Sequence, residues 1–271
     1  MSSNVVGVPP PVIEARGITK RYGALTALQG VDLAIRVGEV VGLVGDNGAG
    51  KSTLVKILSG AIAPTSGEIY VDGRPATVHS PLDARRQGIE TVYQDLALAP
   101  DLTVTENLFM GRELRRSGPL GLLRALDRRA MNRHASEQLD RLRIRIDSVT
   151  DRADSLSGGQ RQAIAVARSI AWGRRVILMD EPTAALGVEE QQKVAGLIEE
   201  VRKNGVPVLL ISHNIPQVHE ICDRIVVLLH GRVVADLHKH EADVEEIVMW
   251  ITGAALARGK EGFDGTGANG H

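Results

Sequence analysis

Val40-Val41-Gly42-Leu43-Val44-Gly45-Asp46-Asn47-Gly48-Ala49-Gly50-Lys51-Ser52-Thr53 is the stretch on which the reading of this chain turns. Its first five residues predict a buried strand, and the residues from Lys51 to Ser59 predict a helix. Between them, Gly45 to Ser52 fit the spacing GxxxxGK[ST], which points backbone N–H groups at phosphate oxygens. Gly45, Gly48 and Gly50 permit the turn without Cβ clashes. The helix N-terminus adds partial positive charge. Lys51 is expected to reach the β- and γ-phosphates of a nucleotide, and the Ser52 hydroxyl to ligate Mg²⁺. Asp46, Asn47, Ala49 and Thr53 complete the expected cradle.

Working outward, Val176–Met179 is a second apolar run, and it ends in Asp180 and Glu181. A helical pattern, Glu189–Lys203, and a third apolar run, Val206–Ile211, follow. Strand, turn, helix, strand is the order of an α/β fold with a parallel sheet. Runs without polar alternation suit strands covered on both faces. Ligands of such sheets bind at the C-terminal strand ends. Asp180 is therefore expected to hold Mg²⁺ through water, and Glu181 to polarise an attacking water. The first forty residues read differently. Val12–Thr19 and Ala27–Ile35 predict antiparallel strands around Tyr22-Gly23, and Gly67–Val71 a hairpin strand closing at Asp72-Gly73. From Leu102 to Asp151 the pattern is helical and charged. Arg112 to Arg145 holds ten arginines, no lysine and four acids, a formal +6 that reads as a solvated helical face, with a surface for acidic headgroups or an acidic partner as the alternative.

Composition excludes several classes. Of 271 residues, 43% are apolar and 24% charged, as in a soluble protein with a real core. Lys and Arg number 32 against 33 Asp and Glu, a net charge of −1 that argues against a basic nucleic-acid binder. The single cysteine, Cys222, allows no intrachain disulfide and no four-cysteine zinc site, and reads as a small core residue. The apolar runs are strand-length, well short of the ~20 residues of a membrane span. Met1–Pro11 lacks the pattern of a secretory signal. His238 and His240 read as surface residues, and six glycines after Thr252 predict a disordered tail.

Three further motifs narrow the nucleotide reading. Leu156-Ser157-Gly158-Gly159-Gln160 precedes a helical stretch, Arg161–Ala171; Gln94 follows the apolar stretch Gly88–Tyr93; His213 ends Val206–Ser212. With the phosphate loop upstream and Asp180-Glu181 downstream, the chain resembles the ATP-binding cassette family from about Ile13 to Gly231. The resemblance implies a P-loop NTPase (RecA-like) core with an antiparallel β subdomain and an inserted helical subdomain. A single cassette is expected over residues 12–240, with the helical subdomain at about 95–154, a C-terminal helix over 241–252 and the tail over 253–271. It also implies two cassettes that sandwich two ATP molecules head to tail. Ser157, Gly158, Gly159 and Gln160 of one chain would then serve the ATP of the other, from a helix N-terminus suited to an anion. By the same resemblance Gln94 and His213 join Glu181 in catalysis, Gln94 joins Ser52 and Asp180 at Mg²⁺, and Tyr22 stacks on adenine. The family usually carries Asp where this chain has Gly187, and many relatives have Asp at Asn214.

The stretches Thr91–Pro100 and Glu106–Glu113 are similar to the monosaccharide-import branch of that family, whose single-cassette members include fructose importers. This implies a homodimer that hydrolyses MgATP, peripheral on the cytoplasmic face of the cell inner membrane. Membrane permease subunits are its expected partners, a periplasmic or extracellular sugar-binding protein acts indirectly, and no nucleic acid is involved. A soluble cassette ATPase of the iron–sulfur assembly type and an importer for a non-sugar substrate remain as alternatives. A phosphate-loop small-molecule kinase is disfavoured by Leu156–Gln160 and His213.

Overall fold

A computed structural model describes residues 10–93, 98–116, 125–173, 175–184 and 186–259. The chain opens with β1 (Ile13–Tyr22) and β2 (Leu25–Ile35), an antiparallel pair, and enters β3 (Val40–Val44). After α1 (Lys51–Leu58), β4 (Ser66–Val71) returns to pair with β1, and β5 (Arg74–Pro75) completes a four-stranded sheet ordered β2-β1-β4-β5. Next come α2 (Pro81–Arg86) and β6 (Ile89–Val92). The chain then runs through α3 (Val104–Phe109), α4 (Arg128–Arg141) and α5 (Gly158–Trp172). It re-enters the second sheet with β7 (Val176–Asp180), α6 (Val188–Lys203) and β8 (Val208–Ile211). The last elements are α7 (Ile215–Ile221), β9 (Arg224–Leu229), β10 (Arg232–His238), α8 (Val244–Ile251) and α9 (Ala254–Ala257). The second sheet is ordered β10-β9-β3-β8-β7-β6, parallel throughout except for β10.

Alternate residues of the central strands feed two cores. Val41, Leu43, Val176, Leu178, Leu209, Ile211, Val226 and Leu228 face α1 and the antiparallel sheet. Val40, Val44, Ile177, Met179, Val208, Leu210, Ile225 and Val227 face the helices on the other side. Every position is apolar because neither face meets water. Helix periodicity supplies the opposing surfaces: Met131, Ala135 and Leu139 on α4, and Val194, Leu197, Ile198 and Val201 on α6, are buried. Cys222 lies within this second core, where burial pushes its thiol pKa up.

The helical excursion is held by polar contacts as well as by packing. Asn107 is fully buried; its Nδ2 donates to the carbonyls of Ala99 (3.0 Å), Leu102 (3.2 Å) and Thr103 (3.0 Å), and its Oδ1 accepts from Ala99 N–H at 2.8 Å. Trp172 Nε1 donates to Leu108 O at 2.9 Å, bringing the end of α5 onto α3. Arg112 lies over the Trp172 ring and pairs with Glu90 on β6, joining the excursion to the sheet.

Several boundaries differ from the sequence reading: β1 runs on to Tyr22, β2 and β8 begin at Leu25 and Val208, and the described part of Leu102–Asp151 is helical only in α3 and α4. Two differences have a clear local cause. α5 starts three residues before Arg161, because Ser157 caps it and draws Gly158–Gln160 into its first turn. The tail expected from residue 253 opens instead with α9, whose Ala255 is buried against the second core; residues 260–271 lie outside the described residues.

Arg224 joins the two sheets. It is 5% exposed, and its Nε donates to Glu39 Oε1 at 2.6 Å. Its Nη1 donates to both Asp236 oxygens (2.9 and 2.7 Å), and its Nη2 to the Ala34 carbonyl. Burial lowers its pKa, but the two carboxylates outweigh burial and raise it. Removing one partner of such a buried group strands the other charges. Arg224→Met is expected to cost about 3 kcal/mol in urea unfolding; an unchanged midpoint would show that this cluster does not hold the sheets together.

Candidate functional site

The phosphate loop begins where β3 ends. Gly45 (φ 151°), Gly48 (φ 81°) and Gly50 (φ 110°) all have positive φ, a region L-residues avoid. Close packing reinforces the requirement at two of them. A methyl group at Gly45 would fall 2.2 Å from Leu228 O, and one at Gly50 2.7 Å from Ala27 O and 2.7 Å from Leu28 Cδ2. The loop is also fastened to the β9–β10 turn, since Gly231 N–H donates to Ala49 O at 2.9 Å.

Lys51 is buried, at 6% exposure, and folds back across the loop. Its Nζ donates to Gly45 O at 2.8 Å and Asp46 O at 3.0 Å. Burial lowers its pKa, opposed by the negative charges of Glu181, Asp46 and Asp180. Ser52, one residue on, is exposed.

The sheet order brings the other motifs to the same edge. β8 lies between β3 and β7, in parallel register with both. The C-terminal ends of adjacent strands therefore deliver Asp180-Glu181 (β7), His213 (β8) and the phosphate loop (β3) side by side. Burial raises the Asp180 pKa against the pull of Lys51, Lys56 and His213. Burial likewise raises that of Glu181, opposed first by His213. Glu181 Oε1 is 3.1 Å from His213 Nε2, within ion-pair reach, yet it is buried and makes no hydrogen bond. Its backbone is unusual too: φ is 53°, in the left-handed region, held by Glu181 N–H donating to Ile211 O at 3.0 Å. Such a conformation costs a non-glycine residue about 1 kcal/mol or more and persists only where the surroundings impose it. β6 runs beside β7 and ends at Val92; the Gln94 expectation lies outside the described residues.

Tyr22 ends β1, is 47% exposed, and pairs in register with Leu25 on β2, the strand that also abuts Gly50. Its ring is open for stacking, with Lys20 Nζ at 5.2 Å.

Ser157–Gln160 lies elsewhere. Ser157 caps α5, its Oγ accepting from Gln160 N–H at 3.2 Å, while Gln160 Oε1 accepts from Ser157 N–H at 2.9 Å. This reciprocal box fixes the turn. Ser157, Gly159 and Gln160 line a groove of about 880 Å³ with Arg143, Arg145 and Glu189, and no phosphate-loop residue lines it. One chain thus presents two separate surfaces. Gly187 caps α6 without a side-chain hydrogen bond. Sequence reasoning passed over Glu190 and Gln191, the next residues of α6 to contact these motifs; a Glu three residues after a helix cap is the available signal.

The donor set suits a nucleotide with Mg²⁺. The loop leaves no room for a Cβ at Gly45 or Gly50, Lys51 supplies a countercharge, and the orphaned Glu181 Oε1 faces the same edge. Among the described residues no three His, Cys, Asp or Glu side chains cluster as metal ligands. Mg²⁺ commonly uses one or two protein oxygens together with phosphates and water. If imposed strain and burial set the state of Glu181, Glu181→Asn should be more stable than wild type by about 1 kcal/mol, since Asn tolerates positive φ. A thermal melt below wild type would count against this.

Comparison with known proteins bears on the family. The family model described as ABC transporter matches residues 28–184. The chain is 47% identical to the fructose import ATP-binding protein FrcA of Rhizobium meliloti, over 90% of this chain and 95% of that one. It is 46% identical to the xylose/arabinose import ATP-binding protein XylG of Sulfolobus acidocaldarius, over 91% and 96%. It spans about half (48%) of the ribose import ATP-binding protein RbsA 1 of Rubrobacter xylanophilus, at 45% identity over 91% of this chain. Among solved structures, the ADP conformation of MJ1267, an ATP-binding cassette of an ABC transporter, matches with TM-score 0.76 and 25% identity, covering 92% of this chain and 97% of that one. The dimeric post-hydrolysis state of the cassette MJ0796, bound to ADP and phosphate, matches with TM-score 0.70 and 27% identity, covering 84% and 98%.

Proposed function

The chain belongs to the ABC transporter family, and on that premise we propose that it is the ATP-hydrolysing subunit of an importer for a small sugar. The observation that carries the chemistry is the meeting of the phosphate loop, Asp180-Glu181 and His213 at one strand edge. Support for the sugar comes from relatives named as fructose and xylose/arabinose import proteins, each matched over nearly its whole length.

In this reading the Gly45–Thr53 loop wraps the phosphates, and Lys51 exchanges its two backbone carbonyl contacts for phosphate oxygens. Tyr22 stacks on the adenine. Ser52 and Asp180 hold Mg²⁺ together with Gln94, and the ion supplies neutralisation of charge on the phosphates. Glu181 Oε1, desolvated and without a hydrogen bond, accepts the proton of the attacking water; His213 holds that water and the γ-phosphate in place. The cassette spans residues 12–240, with residues 95–154 as its helical subdomain.

Ser157–Gln160 is separated from the phosphate loop of its own chain, which supports a second copy as the source of the phosphate it meets. The dimeric form of one similar cassette is consistent with that arrangement. No helix among the described residues is long and apolar enough to cross a membrane. The passage itself falls to membrane permease subunits, a role that the relatives named as import ATP-binding proteins support. The homodimer sits peripherally on the cytoplasmic face of the inner membrane. A separate sugar-binding protein selects the cargo.

Glu181→Gln is expected to bind ATP with wild-type affinity and hydrolyse it about 10²–10⁴-fold more slowly, the usual worth of a general base. Wild-type turnover of that variant would remove Glu181 from its role. Lys51→Ala and Ser157→Arg chains should each be inactive alone, while their mixture should recover hydrolysis through the one unmodified composite site. No recovery would sink the two-chain site. Tagged Glu181→Gln chain with MgATP should capture a polytopic permease from detergent-solubilised host membranes. Soluble partners only, with the chain absent from membranes, would move the assignment to a soluble cassette ATPase.

A further inference from the structure

We propose that Glu190 and Gln191, adjacent on the first turn of α6, are positioning residues that hold the Ser157–Gln160 turn in register with the hydrolytic strand ends of the same chain. The inference rests on the functional reading above.

Gln191 faces the strand ends. Its Nε2 donates to Leu186 O at 3.0 Å, and its backbone N–H to Gly187 O at 3.0 Å. Its Oε1 accepts from Asn214 Nδ2 at 3.4 Å. Leu186 lies five residues after Glu181, and Asn214 directly follows His213. One side chain therefore joins the segment leaving β7 to the segment leaving β8.

Glu190 faces the other way. A methyl group built on Gly159 would fall 2.4 Å from Glu190 Cγ, 3.4 Å from its Cβ and 3.5 Å from its Cδ. Gly158, by contrast, has nothing within 4 Å of that position. The stem of Glu190 is thus seated on the second glycine of the turn, where any larger residue would displace it. Its carboxylate folds back toward its own helix end, with Oε2 2.9 Å from the methyl position of Gly187. A negative charge there complements the α6 N-terminus, which Gly187 leaves without a side-chain cap.

The two contacts issue from one helical turn and cannot shift independently. The turn that Glu190 touches is itself stiff, closed by the Ser157–Gln160 box. Displacement at Leu186 or Asn214 is therefore passed to Gly159 as a displacement of the whole turn. In the composite site that turn meets the partner's nucleotide. Losing the seat should then lower the rate of hydrolysis without changing how a chain binds nucleotide at its own phosphate loop.

The test compares steady-state ATP hydrolysis, nucleotide affinity and thermal melting of the full chain. Glu190→Ala is expected to lower kcat about tenfold, the scale of a small misplacement of reacting groups, with nucleotide affinity unchanged and the melting midpoint lowered by no more than the loss of one charge at a helix N-terminus. Glu190→Gln keeps the stem over Gly159 and should run at the wild-type rate. Gly159→Ala should lose hydrolysis, and adding Glu190→Ala should restore part of it by removing the clash. That double variant also decides the matter if Glu190→Ala alone melts early. A wild-type rate for Glu190→Ala, an equal loss in Glu190→Gln, or no recovery in the double variant each overturns the proposal. If the wild-type chain hydrolyses no ATP, or Glu181→Gln turns over normally, the functional reading falls and this inference with it. If both controls behave and Glu190→Ala is normal, this inference alone falls.

Discussion

The parallel register of β3, β8 and β7 is the constraint on which the rest of this molecule depends. Parallel strands must all end at one edge, and each crossover returns through a helix on a face of the sheet. Residues more than a hundred apart in sequence, Lys51 and Glu181, are thereby brought within electrostatic reach. The same requirement forces apolar side chains on both faces, which is why Val40–Val44, Val176–Met179 and Val208–Ile211 carry no polar residue. A slip of one position in β7 would exchange its two faces and carry Asp180 away from Ile211, its partner on β8.

The edge is electrostatically tense. Lys51, Asp180 and Glu181 are taken out of water together, and burial disfavours the charged form of all three. Their mutual attraction offsets part of that cost. Glu181 adds a left-handed backbone and a carboxylate oxygen without a hydrogen bond. Features of this kind persist where the surrounding packing imposes them, and they concentrate where chemistry is done. Here the imposing structure is plain: Glu181 N–H is held by Ile211 O, and the following turn by α6.

Two surfaces on one chain explain the division of the glycines. Those of the phosphate loop are required by φ and by the backbones of β2 and β9. Gly159 has an ordinary φ and is required by a single side chain, Glu190, from another helix. The first requirement belongs to the loop and its neighbours, the second to the packing of α5 against α6.

The sequence by itself determined whatever depends on local chemistry. Unbroken apolar runs marked the doubly covered strands, and the glycine spacing marked the phosphate loop. Near neighbours in the chain settle such features. The tertiary structure alone decided which distant residues meet. That Arg224 joins the two sheets through the Ala34 carbonyl of β2, that α9 packs where glycine content predicted a tail, and that Glu190 sits on Gly159 follow from strand order and helix packing. No window of sequence contains both partners of those contacts. Their energies depend on burial, and burial exists only once the layers have closed.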